Sequence, residues 1–375
     1  MTKIEFDVLL KIKDNPRVSV GQIANELFVS IETVEKSLSE LYKCNMVLNG
    51  ELTIKAENYL QNHKINNAII LAAGMSTRFV PLNYEIPKGL LVVKGEVLIE
   101  RQIKQLQEKG IPQIIIVVGY MKERFEYLKD KYGVILVESK EYLFKNNHSS
   151  VYCARKYLEN SIVTSSDLYF SENIFQTYAF DSYYSCVFMK GHTEERGVWT
   201  NDDQMIIKTA YGDECNNVWV TFGYAFFSKS FSKNMISIIK KETNKVENYS
   251  KFWADFQDDY LDILYMYSKR VADGVISEFD SLEELRLFDD KYVNNSGSVI
   301  LRAIADSLET KEGELTNFTL LKDLGQNTFS FKFNDDTYLC SLNDASSQEQ
   351  IIRGDCCYNF IFKTKINNFF IKIYK

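Results

Sequence analysis

The spacing of apolar and polar positions divides the chain into three stretches. In residues 1–64 apolar residues recur at helical intervals. Phe6, Leu9, Leu10 and Ile12 give a first amphipathic helix; Ile23, Leu27, Val34, Leu38 and Leu41 give a helix, a turn and a second helix from Ile31 to Tyr42. Asn49-Gly50 then reads as a hairpin turn. From residue 65 the pattern changes to short runs with little polar interruption: Ala68 to Leu71, Gln113 to Val118, Val134 to Val137 and Ser161 to Thr164. Amphipathic helices at Ile99 to Lys109 and Lys122 to Tyr132 separate them. Strands of this kind alternating with helices imply a mostly parallel sheet covered on both faces. Beyond residue 295 a helix around Val299 to Leu308 precedes Phe329, Phe331 and Phe333, which alternate with polar residues. Asn334-Asp335-Asp336 turns the chain, and Thr337 to Cys340 returns as the second strand of a hairpin. The expected architecture is an α/β domain at 65–295, a small helical module at 1–64 and a small α+β segment at 296–375.

Composition narrows the function classes. A chain of 375 residues with 45% hydrophobic and 25% charged residues can bury a core in each domain. A net charge of −7 works against binding to nucleic acid or an anionic membrane. No apolar run approaches the ~18 residues of a membrane span, and the N-terminus has no apolar segment behind a basic start. A soluble, cytoplasmic protein is expected. Seven cysteines without a CxxC pair suit reduced thiols. Three isolated histidines cannot make a His-rich zinc site, so a metal should be held by oxygen.

The 1–64 module is similar to the winged helix-turn-helix of many bacterial regulators, with Ile31 to Tyr42 as its recognition helix. That resemblance would make DNA a partner. Yet the helix carries Glu32, Glu35 and Glu40 against Lys36, and the module has eight Lys/Arg and nine Asp/Glu, where phosphate contacts need positive charge. A docking or dimerisation module, and with it a homodimer, is the alternative.

The stretch richest in chemistry is Ala68-Ile-Ile-Leu-Ala-Ala-Gly74-Met-Ser-Thr-Arg78, continuing to Glu85-Ile86-Pro87-Lys88-Gly89-Leu90. A buried strand feeds a loop of small residues, over which backbone N–H groups can approach phosphates closely. Arg78 and Lys88 supply cations for a triphosphate. Lys88, in a loop before Gly89, is expected to bury little. A P-loop and a GxGxxG fingerprint are both absent, which argues against a P-loop NTPase and a dehydrogenase.

This pattern resembles the nucleotidyltransferases that activate sugar phosphates and small alcohol phosphates, with L-A-A-G-x-x-x-R followed by P-K. Tyr84-Glu85-Ile86-Pro87-Lys88-Gly89-Leu90-Leu91 and Gly95-Glu96-Val97-Leu98-Ile99-Glu100-Arg101-Gln102 resemble the bacterial CTP:phosphocholine cytidylyltransferases. So do Lys145-Asn146-Asn147-His148-Ser149-Ser150, Ser166-Asp167-Leu168-Tyr169 and Glu278-Phe279-Asp280-Ser281. The resemblance covers roughly residues 66–290 and implies a Rossmann-like domain. It implies that Leu71, Ala72, Ala73 and Gly74, with Asn146, Asn147 and Ser149, bind the nucleotide. It further implies that Asp167 and Asp280 hold magnesium, that Arg78 steadies the departing β- and γ-phosphates of CTP, and that Lys88 lies along the α-phosphate and the acceptor. Asp280-Ser-Leu-Glu283 also reads as a capping box, so an N-cap role for Asp280 stays open.

A phosphomonoester acceptor is largely dianionic near neutrality and needs no general base, so the work is positioning and charge neutralisation. For phosphocholine or a similar phosphorylated amino alcohol, a quaternary ammonium calls for aromatic rings beside a carboxylate. Trp253, Tyr183 and Tyr224 with Asp255 are the candidates. Arg196 stands where the resemblance leads one to expect an aromatic, so phosphoethanolamine, 2-aminoethylphosphonate or a sugar 1-phosphate remain rivals. So does a transcriptional regulator with a nucleotide-sensing domain. Residues 314–339 loosely resemble the opening hairpins of choline kinase-type enzymes. The catalytic lobe that such a kinase needs has no counterpart in the sequence, so the segment is expected to be an accessory piece outside the chemistry.

Overall fold

The computed structural model describes residues 1–325, 327–344, 360–366 and 369–374. They fall into two compact units, one within Met1–Gly74 and Arg101–Ser277, the other within Met75–Glu100 and Glu278–Lys375.

In the first unit the apolar runs become the strands Asn67–Ala72, Ile114–Val118, Ile135–Glu138 and Ser161–Ser165. They pair in parallel, in the spatial order 135–138, 114–118, 67–72, 161–165. Every residue of 67–72 and 114–118 is buried, as strands covered on both faces require. Past 161–165 the nine-stranded sheet becomes antiparallel. The long strand Asn216–Phe227 pairs with Ser161–Ser165, Tyr183–His192 and Gly197–Thr200, and Ile206–Ala210 extends that side. Tyr183–His192 also pairs in parallel with Tyr267–Val271. The expected helix at Lys122 to Tyr132 is a 3₁₀ turn, Lys122–Phe125, and a helix, Tyr127–Tyr132; buried Phe125 and Leu128 keep one apolar face across the break.

The N-terminal stretch forms the helices Lys3–Asp14, Val20–Leu27 and Ile31–Lys43, a hairpin of Val47–Leu48 with Glu51–Leu52, and the helix Ile54–Gln61. Thr2 and Ser19 cap the first two helices in reciprocal boxes with Glu5 and Gln22. This module is not separate from the sheet. Phe6 lies 5.7 Å from the Phe180 ring, Lys3 Nζ donates to Gln204 Oε1 (2.8 Å), and Gln204 Nε2 donates to Leu27 O (3.3 Å). Arg270 Nη1 donates to Phe28 O (3.2 Å), and Phe28 meets Trp219 edge-on. Residues expected as an independent domain therefore belong to the first compact unit.

The second unit gathers three 3₁₀ turns, Thr77–Phe79, Leu82–Tyr84 and Lys88–Leu90, with the helices Leu282–Phe288 and Val299–Ser307. It adds a five-stranded antiparallel sheet in the order Thr316–Leu320, Thr328–Phe333, Asp336–Asp344, Phe369–Tyr374, Phe360–Ile366. Asn334 and Asp335 turn its central hairpin at φ values of 50° and 65°. The expected boundary at 295 thus shifts, because residues 75–100 pack with the chain beyond 278. Within 75–100 the strands are two residues long, Val92–Val93 and Glu96–Val97, so this stretch must bury itself against other chain. Tyr84 meets the Phe329 ring at 6.1 Å, Asp289 Oδ2 accepts from Lys94 N (2.6 Å), and Tyr292 Oη donates to Val92 O (3.1 Å).

Among the described residues no helix is long and apolar enough to cross a membrane. Cys44, Cys153, Cys186, Cys215 and Cys340 are unpaired thiols; Cys356 and Cys357 lie outside the described residues.

Candidate active site

In the first unit the chain order reverses at the 67–72 strand, whose neighbours 114–118 and 161–165 lie on either side. In open α/β sheets the crevice at the carboxyl ends of such strands is where ligands bind. Leu71, Ala72 and Ala73 are buried there and Gly74 is exposed. A Cβ built on Gly74 would meet nothing within 4 Å, so no neighbour in the protein demands glycine at this position. Gly119 differs: a Cβ there would lie 2.8 Å from Ala73 O, and Tyr120 N donates to that same carbonyl (3.1 Å). The end of the 114–118 strand therefore fixes the loop.

Asp167 sits one residue beyond Ser166, whose N–H donates to Leu71 O (3.0 Å). Its turn is held from below by two residues that pattern reading did not single out. Gln102, fully buried, donates through Nε2 to Ser165 O and Leu168 O, both at 2.9 Å. Arg101 donates to Phe170 O (2.7 Å) and Ser171 O (3.0 Å), with its guanidinium 4.7 Å from the Tyr169 ring centroid. The signal was present, since Gln102 occupies an apolar-stripe position of a helix whose neighbours Leu98, Ile99, Ile103 and Leu106 are buried.

Asn146, Asn147 and Ser149 bind backbone. Asn146 caps the helix Asn147–Cys153 and donates to Ser250 O (2.9 Å); Asn147 Oδ1 accepts from Trp253 N (2.8 Å); Ser149 Oγ donates to Asn146 O (2.9 Å). Buried His148 joins them, 2.7 Å from Lys251 O and 3.2 Å from Thr243 Oγ1. The segment ties the 250–253 chain to the sheet.

The four acceptor candidates do not form one cage. On the Tyr183–His192 strand Tyr183 is opposite Phe226 and Tyr184 opposite Ala225, so the two tyrosines point to opposite faces. Tyr183 and Tyr224 share a 2.7 Å hydrogen bond on one face, and the amino group of Lys269 lies 4.9 Å and 5.0 Å from their ring centroids. On the other face Trp253 stacks on Tyr184 (4.8 Å) and is only 4% exposed. Buried Arg196 lies 5.5 Å from the Tyr184 ring and is bonded to both carboxylate oxygens of Asp258 and to Gln257 Oε1. Basic groups of the protein thus already sit against both aromatic clusters. Asp255 accepts from Phe252 N (2.7 Å) and from Tyr211 Oη (3.3 Å), and Phe252 and Tyr211 are both exposed.

In the second unit Arg78, Lys88 and Asp280 come together. Arg78 Nη2 is 2.9 Å and Lys88 Nζ 3.6 Å from Asp280 Oδ1. Arg78 is 74% exposed, whereas Lys88 is 7% exposed and lies 5.4 Å from the Phe79 ring centroid, contrary to the expectation that it buries little. Pro87 and the Lys88–Leu90 turn fold its stem inward. The N-cap of the following helix is Ser281, which accepts from Glu284 N (3.2 Å). Glu284 Oε2 accepts from Asp280 N (2.8 Å) and not from the N-cap residue, so the expected capping box is not closed, and the Asp280 carboxylate faces the two cations instead of capping the helix. Among the described residues no three of His, Cys, Asp and Glu converge as a ready-made metal cluster.

Residues 68–199 match the family model described as a MobA-like NTP transferase domain. The choline-phosphate cytidylyltransferase of Streptococcus pneumoniae is 34% identical over 61% of this chain and 99% of its own length. A 2-aminoethylphosphonate cytidylyltransferase of Lancefieldella rimae is 35% identical over 62% of this chain and 95% of its own. The solved structure of the Streptococcus pneumoniae CTP:phosphocholine cytidylyltransferase superposes with a TM-score of 0.58, covering 60% of this chain and 98% of that one.

Proposed function

This chain belongs to the bacterial choline-phosphate cytidylyltransferase family of nucleotidyltransferases, and from that premise we propose that it transfers CMP from CTP to phosphocholine. An oxygen of the acceptor's phosphate attacks the α-phosphorus, the bond from that phosphorus to the β-phosphate's bridging oxygen breaks, and pyrophosphate leaves. The acceptor dianion brings its own nucleophilic oxygen, so no side chain has to remove a proton. The observation that supports the reading most is the pairing of a sterically open Gly74 with the Asp167 turn on adjacent parallel strands.

In this reading the backbone of Leu71 to Gly74 receives the nucleotide. The Asn146–Ser149 segment contributes by holding the 250–253 chain. Arg78 carries charge to the leaving phosphates, and buried Lys88 offers a fixed cation to the α-phosphate and the acceptor. Asp167 would hold a magnesium ion, which would supply charge neutralisation on the phosphates, and Asp280 is the second candidate carboxylate. The acceptor's cation is proposed to lie by Asp255 and the exposed Tyr211, whose hydroxyl reaches that carboxylate.

A primary-amine acceptor, phosphoethanolamine or 2-aminoethylphosphonate, is the second reading. It is favoured by the Lancefieldella rimae relative and by the Lys269 and Arg196 groups set against the other rings. For residues 1–64, the bonded Leu27 and Phe28 carbonyls support a docking role over DNA binding. The test is pyrophosphate release from CTP and magnesium with phosphocholine, phosphoethanolamine, 2-aminoethylphosphonate and glucose 1-phosphate in turn. Phosphocholine should give the highest kcat/KM. A tenfold preference for either primary amine would reassign the acceptor.

A further inference from the structure

We infer that Glu85 is a positioning residue, and that it holds the Lys88 loop in its working geometry by anchoring it to the helix Val299–Ser307. The inference rests on the proposed role of Lys88 for its catalytic consequence and on hydrogen bonds within the second unit for its structural part.

The stretch 82–91 is two tight turns back to back. Glu85 N and Ile86 N both donate to Leu82 O, closing the first; Leu90 N donates to Pro87 O and Leu91 N to Lys88 O, closing the second. Glu85 ends the first turn, two residues before the second begins at Pro87. Its Oε1 accepts from Val299 N (2.8 Å) and Ile300 N (3.3 Å), the first two residues of the 299–307 helix. Those N–H groups have no partner inside the helix, and a carboxylate at a helix N-terminus also meets the positive end of its dipole. Glu85 Oε2 is buried without a hydrogen-bond partner, so the anchoring runs through Oε1 alone. Three residues on, Lys88 points into the second unit beside Asp280.

The helix does not depend on Glu85 for its start. Ser298 caps it, with Oγ accepting from Leu301 N (2.9 Å). Two groups therefore serve one helix end, of which only Glu85 belongs to the loop. The helix Val299–Ser307 is then a platform for the Lys88 loop.

The test compares Glu85→Ala, Glu85→Gln and Ser298→Ala in the full chain. The first readout is hydrogen exchange of the 82–91 backbone; the second is kcat and KM for CTP. Glu85→Ala should speed exchange in 82–91 and lower kcat roughly tenfold to 100-fold, the scale of a misplaced catalytic group, with KM for CTP within about twofold. Glu85→Gln keeps an oxygen for the same two N–H groups and should restore both. Ser298→Ala should speed exchange in 299–307 but leave kcat within about twofold. Equal losses of kcat in Glu85→Ala and Ser298→Ala, or unchanged exchange in 82–91, would overturn the inference. Should the alanine variant not fold, Glu85→Asp, one methylene short of the helix, is read by the same criteria. If the wild-type chain releases no pyrophosphate from CTP, the function is refuted while the exchange comparison still decides whether Glu85 anchors the loop.

Discussion

The strand-end loop of the first unit and the cation loop of the second hold their functional side chains by different physics. The Asp167 turn is fixed by backbone register and mainly by neutral, buried groups, Ser166 N on Leu71 O, Gln102 on two carbonyls and Gly119 against Ala73, with the Arg101 guanidinium on the two carbonyls just beyond. In the second unit Arg78, Lys88 and Asp280 hold one another by charge, with Arg78 largely in solvent and Lys88 almost wholly buried. A scaffold of neutral donors is insensitive to ligand charge. A cluster of two cations on one carboxylate is not, because an incoming polyphosphate competes with Asp280 for both cations. Substitutions in the first set should cost stability before chemistry, and in the second chemistry before stability. Asp167 is the exception, being a charged group mounted on the neutral scaffold.

The largest effect should come from that exception. Asp167→Asn is expected to remove pyrophosphate release altogether while the melting temperature stays close to wild type, and Asp280→Asn to leave measurable turnover. The reverse order would make the second unit's carboxylate the principal metal ligand. Next comes Trp253→Ala, which should destabilise the first unit by about 3–5 kcal/mol in thermal or denaturant melts, the usual cost of truncating a buried aromatic. A normally stable variant whose acceptor KM alone rises would instead make Trp253 an acceptor-binding ring.

Lys88→Ala should lower turnover about 100-fold, the scale of one lost transition-state contact, and Lys88→Met should do the same while keeping the buried stem. Turnover near wild type in a folded Lys88→Met protein would remove the second unit from the chemistry. The smallest effect concerns the neutral clamp. Gln102→Leu leaves the Ser165 and Leu168 carbonyls short of a donor and should cost about 1–3 kcal/mol of stability. Its activity should fall only as far as the Asp167 turn loosens. A loss of turnover with unchanged stability would show that Gln102 acts on substrate and not on the turn.

The contrast also explains what the sequence made legible. Uninterrupted apolar runs announced the parallel strands to within about a residue, most plainly for 67–72 and 114–118, where burial on both faces leaves no other pattern. Gly74, Arg78, Lys88 and Asp167 stood out because their spacing is a motif. What stayed hidden depends on contacts between distant parts of the chain. Lys88 looks like a solvent-facing loop residue until Asp280, almost two hundred residues later, is placed beside it. Trp253 looks like a cage residue until strand alternation puts it on the face opposite Tyr183 and Tyr224. Residues 75–100 read as part of the α/β domain, yet they pack with the chain beyond 278 through Glu85, Lys94 and Tyr84. Linear spacing carries no information on such pairings.

The central claim, transfer of CMP to a phosphorylated acceptor, is tested most directly by following both products of one reaction. CTP, magnesium and phosphocholine are incubated with the full chain, and pyrophosphate and the cytidine diphosphate adduct are quantified together. The two should appear in equal amounts, only when an acceptor is present, and more slowly with Lys88→Met than with wild type. Pyrophosphate formed without an acceptor, or no acceptor-dependent release from CTP with any member of the panel, would contradict the claim.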